Sequence, residues 1–389
     1  AINAFLGLSA DDHTKLVLLD PLAKKLKDQG WEMRGIGAQF DFIPEGLRVT
    51  NVAQKSPAAD AGIIPADIIT ALDGRKINKN NYPEISDLLQ GTVTNTFQLF
   101  IKREGQELKK EIQSTLMKVQ YVQSSAFSFK GKKMGYFSVP TLYSNNICAQ
   151  SRKVLENFLQ QEKVDGLIMD LRGNRGGLMD ETICLAELFL PPKTPLAKPI
   201  PVSEDFKSYA REVYRTEKSP LVPNKIPLVI LVDDFTGSGG ELLAGALADY
   251  TRAILIGVRT HGKATIQALF DYPAEMLEGG KLGLYRTVAV YSLPKSGSFQ
   301  LVGIKPHLTV ANPLRAASDP ELREEDYTFR PTAPLRKGPV SYLLEEEVSK
   351  CQEQRGLADK NFKQKDVTFA FDYQLLKAQD ILGCLLKVL

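Results

Sequence analysis

Hydrophobic and polar positions change rhythm along the chain. In the first 34 residues, Leu16, Leu19, Leu22 and Leu26 recur at close to a helical period, so this segment is expected to be helical. Between about 35 and 115 the apolar runs are short and β-like. Residues 46–52 and 67–72 are rich in branched apolar side chains, residues 97–102 alternate apolar with polar, and residues 83–90 read as a helix. From about 132 onward strands and helices alternate: strand 134–139, amphipathic helix 144–161, buried strand Gly166–Asp170 and a helix to about 189. After a Pro- and Lys-rich excursion at 191–226 come buried strand Leu228–Val232, helix 241–250 and strand 253–257. That order predicts a mostly parallel sheet. Residues 287–291 read as a later strand, 315–336 as a surface connection, and 340–354 and 373–388 as closing helices.

Composition narrows the class without naming it. The 389 residues carry 49 basic and 46 acidic side chains, a net charge of +3 that is too small by itself to suggest a nucleic-acid or membrane surface. With 43% hydrophobic and 24% charged residues, the chain reads as globular, with two or three domains at roughly 100–200 residues each. No apolar run approaches the ~18 residues that would cross a bilayer. The chain begins at Ala1, and an upstream segment is expected to have been removed. Four cysteines (Cys148, Cys184, Cys351, Cys384) are expected as buried thiols, one or two disulfides being the alternative. Three histidines without ligand spacing predict no metal site.

Chemistry concentrates in two Gly-rich turns, 172–177 and 236–240, each following a buried strand and preceding a helix. Ligands of open α/β sheets bind at such strand ends, where the next helix offers unpaired amides. Ser238 in the second turn suits acyl transfer, which needs a nucleophile beside an oxyanion hole. No histidine has a triad context, and His261 is the only one near these loops. Lys263 follows the 253–257 strand and would serve as base if burial lowered its pKa by several units. Phosphate binding competes for both turns, but neither has the Gly-x-x-x-x-Gly-Lys-Ser/Thr spacing.

Two stretches resemble known families. Residues 35–115, with Ser56-Pro57-Ala58-Ala59, Ala61-Gly62-Ile63 and Asp73-Gly74, resemble a PDZ domain; its carboxylate-binding loop would be Gly35, Ile36, Gly37 and Ala38. Residues 134–310 resemble the crotonase-like α/β catalytic domain of the carboxyl-terminal processing peptidases, or tail-specific proteases. Ser238-Gly239-Gly240-Glu241 occupies that family's Ser-Ala-Ser-Glu segment, and Gly262-Lys263-Ala264-Thr265-Ile266-Gln267 its Gly-Lys-Gly-x-x-Gln, with the family's own separation of 25 residues between serine and lysine. Gly135-Tyr136-Phe137, the Asp170–Gly177 loop and Gly303-Ile304-Lys305-Pro306, read as a strand, match three further segments.

The resemblance implies Ser238 as nucleophile, Lys263 as general base, Gln267 as its orienter, and the amides of Gly239 and Gly176 as oxyanion hole, Gly177 being the alternative to Gly176. Asp170 and Arg172 would brace the loop. It implies a serine endopeptidase acting on C-terminal regions of proteins, with no metal or organic cofactor and an extracytoplasmic location. The expected division is a helical segment at 1–34, PDZ domain 35–115, catalytic domain 116–314 and a linker with helices at 315–389. The helical ends could pair between chains or cover the core. Gly240, Ala264 and His307 depart from the family's serine, glycine and aspartate. A peptide-binding scaffold with little cleavage and a crotonase-like acyl-CoA enzyme are the rival readings; the second leaves the PDZ unit unexplained.

Overall fold

Packing divides the chain into two units, residues 24–121 and residues 122–389 joined by 1–23. The structure, a computed structural model, describes residues 11, 13–18, 32–53, 56–89, 95–103, 105–118, 121–209, 212–272, 282–311, 323–326 and 372–387. The expected helical segment at 1–34 is not what forms where the chain is described. Leu16 lies in a strand, β1 (Lys15–Leu18), which pairs antiparallel with residues 282–285 and belongs to the larger unit. A few leucines at helical spacing cannot outweigh a ladder of hydrogen bonds to a long neighbouring strand. Leu19, Leu22 and Leu26 lie outside the described residues, and the next strand, β2 (Glu32–Gly35), belongs to the smaller unit.

In the smaller unit come β3 (Ala38–Ile43), β4 (Gly46–Val52), a helical turn α1 (Pro57–Asp60), β5 (Ile68–Leu72), β6 (Arg75–Lys76) and α2 (Tyr82–Leu89). Then follow β7 (Thr96–Arg103), β8 (Gln106–Gln113) and β9 (Thr115–Lys118), the last pairing with β2. The main sheet runs β3-β4-β5-β7-β8 and is antiparallel throughout, with β6 on β5. Its core holds Ile36, Leu47, Val49, Ile69, Leu99 and Ile101 under Ile85 and Leu89 of α2. Alternation in β7 buries Phe97, Leu99 and Ile101, as its sequence requires. Ser56 accepts from Ala59 N–H at 3.2 Å and Pro57 opens α1, a polar cap followed by proline at the first helical position.

In the larger unit, β10 (Gln123–Phe129) and β11 (Lys132–Ser138) form a hairpin, followed by α3 (Ile147–Asn157), β12 (Gly166–Asp170) and α4 (Met179–Glu187). After β13 (Pro195–Pro201) and β14 (Tyr214–Arg215) come β15 (Leu228–Val232), α5 (Gly239–Asp249) and β16 (Ile254–Gly257). β17 (Thr265–Tyr272), β18 (Leu282–Ser292), β19 (Leu308–Thr309) and α6 (Tyr373–Leu385) complete the unit. The central sheet, β10-β11-β12-β15-β16-β19, is parallel from β11 onward. β12 and β15 are buried at every position because both faces of a parallel sheet are covered. A second, antiparallel sheet places β1, β13 and β17 on β18.

The expected 144–161 helix is regular only over α3 and continues as a π-turn, Phe158–Glu162. Residues 303–306, expected as a strand, are irregular: Ile304 exchanges hydrogen bonds with Thr260, and the pairing strand begins after Pro306 at Leu308. Instead of free thiols, Cys148 and Cys184 form a disulfide joining α3 to α4, and Cys384 is also disulfide-bonded. The helix expected at 340–354 lies outside the described residues. No helix among the described residues is long and apolar enough to cross a membrane.

α6 lays Ala378, Ile381 and Leu382 on Ile168, Val229, Ile254 and Ile256 of the central sheet, so its apolar face is used within its own unit. A Cβ at Gly166 would stand 2.8 Å from Leu382, which shows how closely helix and sheet approach. Leu382→Ala is expected to cost about 2–4 kcal/mol of unfolding free energy, measured by denaturant titration. A loss below about 0.5 kcal/mol would mean that α6 is dispensable to this core.

Candidate active site

The two Gly-rich turns stand side by side because their strands, β12 and β15, are neighbours in the sheet. Asp233, just after β15, accepts the amides of Gly173 (3.0 Å), Phe235 (3.1 Å) and Thr236 (2.9 Å). Thr236 Oγ1 donates to Leu171 O, and Gly237 N–H to Asn174 O. Asn174 is fully buried and donates in turn to Val139 O at 2.7 Å. The first turn is braced from behind. Asp170 accepts from Tyr136 and from the Arg172 backbone and guanidinium, and Arg172 reaches on to Asp372 and Gln374 at the start of α6.

Ser238 stands at φ +51°, ψ −118°, directly before α5. A non-glycine residue held there stores roughly 1–3 kcal/mol of strain, which the clipped turns must sustain. Strand, sharp turn and helix together present its hydroxyl at the sheet's carboxyl edge. Gly176, at φ +90°, presses against it: a Cβ there would stand 2.7 Å from Ser238 Cβ and 2.8 Å from Gly239 N.

Gly239 N–H is the first amide of α5 and has no intrahelical partner. Gly176, expected as the second oxyanion donor, already gives its N–H to Asn174 Oδ1 at 2.8 Å. Its neighbour Gly177 has its nitrogen 3.6 Å from where a Cβ of Gly239 would sit. Gly177 cannot be replaced easily, since a Cβ at its φ of +150° would meet the Leu142 carbonyl carbon at 2.0 Å.

The residue that unites the site is Glu241, which is fully buried. Its Oε2 accepts Ser238 N–H and Lys263 N–H, both at 2.9 Å, while Oε1 accepts Gly262 N–H at 2.7 Å and the Thr260 hydroxyl. Complete burial pushes its carboxyl up to about 7, with the four donors working in the opposite direction. The sequence offered a signal for this role: Ser238-x-x-Glu241 is the spacing in which a helix's third residue reaches back to the cap amide.

Lys263 is partly buried, and burial lowers its amine to about 8 against the attraction of Glu324, Glu241 and Asp11. Its Nζ donates to Gln267 Oε1 (3.0 Å) and Thr265 O (3.3 Å), and it is not hydrogen-bonded to Ser238. Gln267 thus holds the Lys263 amine through its side-chain carbonyl. Burial lowers the His261 pKa, against the charge of Glu324 at 3.9 Å; its backbone N–H donates to Thr236 O.

Several site neighbours escaped sequence reasoning. Glu324, within the expected surface connection, is fully buried and bonded to His13 and Gln300. Tyr291 is buried beside Ser238, and burial together with the Glu241 charge pushes its phenol far up. Asp11 and Thr287 also lie buried here. None has a local motif, because each arrives through tertiary packing. Among the described residues, no group of three or more His, Cys, Asp or Glu side chains converges as metal ligands.

In the smaller unit, Gly35 ends β2 and Ala38 begins β3. Of the intervening loop, Ile36 N–H is committed to Leu89 O at 3.0 Å, at the end of α2, and Gly37 O accepts from Ala53 N–H. The Ile36 amide is thus not free for a substrate carboxylate.

Comparison with known proteins follows this division. The model for Peptidase family S41 matches residues 133–310, and the PDZ domain model matches residues 48–103. A carboxyl-terminal-processing protease of Synechocystis sp. is 30% identical over 319 residues, covering 81% of this chain and 71% of that protein. One from Picosynechococcus sp. is 31% identical over 310 residues, covering 79% and 71%. A solved photosystem II D1 C-terminal processing protease superposes with a TM-score of 0.54 at 24% identity, over 80% of this chain and 81% of that one, a likeness of fold.

Glu241→Gln keeps the shape of the clamp but turns an amide NH2 toward N–H or O–H donors. It is expected to destabilise the protein by about 1–3 kcal/mol and to abolish turnover, measured by denaturant titration and peptide cleavage. Wild-type stability with wild-type turnover would show that the carboxylate does not organise the site.

Proposed function

Given that the chain belongs to peptidase family S41, the carboxyl-terminal-processing proteases, we propose that it cleaves protein substrates near their C-termini with Ser238 as nucleophile and Lys263 as general base. It is a serine peptidase with a PDZ domain. The observation that carries the assignment is the shared Glu241 Oε2, which holds the backbones of Ser238 and Lys263 on one oxygen atom.

Neutral Lys263 takes the Ser238 hydroxyl proton as Oγ attacks the scissile carbonyl carbon. The amides of Gly239 and Gly177 receive the developing oxyanion. The tetrahedral species collapses, the C–N bond breaks, and the lysine ammonium protonates the departing amine. A water then gives a proton to the lysine and attacks the acyl-enzyme; the Oγ–C bond breaks, the lysine ammonium returns the proton to Ser238 Oγ, and the new carboxyl end is released. For the first transfer Nζ moves from Thr265 O, its longer contact, toward Ser238 while keeping Gln267; catalytic hydrogen bonds commonly close only once substrate is bound.

The PDZ domain would take the substrate's terminal carboxylate at the 35–38 loop through amides other than that of Ile36. The Cys148–Cys184 disulfide supports an oxidising, extracytoplasmic location.

Peptidase activity is expected to rise with pH through about 8, because the base must lose its proton and its amine is lowered to that value. Lys263→Arg is expected to lose at least about 1000-fold in kcat, since guanidinium stays charged and cannot act as the base. Near-normal turnover in that variant would remove the base assignment. For recognition, amidating a substrate peptide's C-terminus is expected to raise KM by roughly 10-fold through loss of charge-assisted hydrogen bonds. Equal KM values for acid and amide would remove the carboxylate role while leaving the peptidase intact.

A further inference from the structure

A continuous hydrogen-bond chain leads from the lysine amine to the N-terminal segment. Lys263 Nζ donates to Gln267 Oε1 at 3.0 Å. Gln267 Nε2 donates to Thr265 Oγ1 at 2.9 Å and to Thr287 Oγ1 at 3.2 Å. Thr287 Oγ1 donates to Asp11 Oδ1 at 3.0 Å. Asp11 and Thr287 are both buried, with 6% and 3% of their surface exposed.

The chain has only one direction. The Thr287 hydroxyl has a single proton, and it goes to Asp11 Oδ1. The threonine oxygen must then present lone pairs to Gln267, which turns the amide NH2 toward Thr287 and leaves its carbonyl oxygen facing Lys263. With the opposite amide orientation, two donors would confront each other at the lysine. A neutral lysine amine has two N–H bonds and one lone pair. In the resting site the N–H bonds go to Gln267 Oε1 and Thr265 O; when Nζ leaves Thr265 O, the bond to Gln267 is the one that still orients the amine as its lone pair receives the serine proton.

Asp11 is itself fixed. It accepts His13 N–H at 2.8 Å and the Thr14 hydroxyl at 2.9 Å, and β1 follows immediately, registered against residues 282–285 just ahead of Thr287. A second arm reaches the base from the same turn. His13 Nε2 contacts Glu324 at 3.0 Å, Glu324 accepts from Gln300 Nε2 at 2.9 Å, and Gln300 Oε1 accepts the amide of Ala264, next to Lys263, at 2.6 Å.

We propose that Asp11 and Thr287 are positioning residues for the base, acting through Gln267, so that the N-terminal turn completes the catalytic centre. This rests on Lys263 being the base. The N-terminal segment thereby has a role in turnover distinct from its contribution to the sheet.

The test is steady-state kinetics on full-length Thr287→Val, Thr287→Ser and Asp11→Ala, with Gln267→Ala, the Thr287→Val/Gln267→Ala double variant and Lys263→Ala alongside. Thr287→Val keeps the branched shape and removes the hydroxyl. Its kcat is expected to fall about 10- to 100-fold, with KM within about 2-fold and a displaced acid limb of the pH profile, the scale of loss that a misplaced catalytic group produces. Asp11→Ala is expected to show the same split, and Thr287→Ser to recover most of the rate. The double variant is expected to be no slower than Gln267→Ala alone, because residues in one relay are non-additive. Wild-type kcat and pH profile in Thr287→Val or Asp11→Ala, a loss that serine does not restore, or additive losses in the double variant would overturn the relay. Lys263→Ala separates the two levels: if it is inactive while Thr287→Val is unimpaired, only the relay fails, and if it stays active, the base assignment fails first.

Discussion

Everything at the catalytic end of the sheet depends on one buried carboxylate. Ser238 and Lys263 are 25 residues apart, on the turns that follow two neighbouring parallel strands, β15 and β16. Nothing in a parallel sheet requires the loops at its strand ends to keep fixed distances. Glu241 supplies that requirement by accepting the amides of Ser238, Gly262 and Lys263 and the Thr260 hydroxyl. Because the group is fully buried, removing the carboxylate would leave the buried Gly262 and Thr260 donors unpaired and would release the part-buried amides of Ser238 and Lys263.

The electrostatics of Lys263 follow from the same crowding. Burial favours the neutral amine of Lys263, whereas Glu324, Glu241 and Asp11 favour the ammonium, and burial wins. In the proposed mechanism, a lysine lowered only to about 8 is basic enough to accept a proton from serine and acidic enough to return one to a leaving amine. The departures from the family pattern are consistent with this frame. A Cβ at Gly240 would lie 3.0 Å from Asn174 O, so glycine lets the two turns close tightly. Ala264 is fully buried, uses its amide on Gln300 and has no positive φ to require glycine. His307 accepts the Leu255 amide through Nδ1, a backbone task that does not touch the serine–lysine pair.

What could be read from the sequence was what local pattern controls. β12 and β15 are where their unbroken apolar runs put them, and α5 begins within two residues of its expected start. Ser238 and Lys263 lie on turns that follow the buried strands β15 and β16, while Glu241 in the first turn of α5 and Gln267 at the start of β17 stay within three or four residues of them. Long-range partners were not legible. Leu16 looked helical but forms a strand, because its partner is some 270 residues away at Leu284. Glu324 sits in a charged, Pro-rich stretch that reads as surface, yet His13 and Gln300 receive it in the interior. The amide of Gly176 looked free until Asn174, two residues earlier, turned its side chain back to accept it. Cys148 and Cys184 became a disulfide because α3 and α4 bring their Cα atoms to 5.9 Å, a proximity that no spacing of 36 residues reveals.

The most direct measurement of the central claim is the rate at which a fluorophosphonate probe labels the protein between pH 6 and 10, with the modified residue located by peptide mass spectrometry. The account predicts a single adduct on Ser238, forming at a rate that rises with pH through about 8 and drops to background in Lys263→Ala. Labelling at another residue, or a Ser238 rate that ignores both pH and the loss of Lys263, would contradict it.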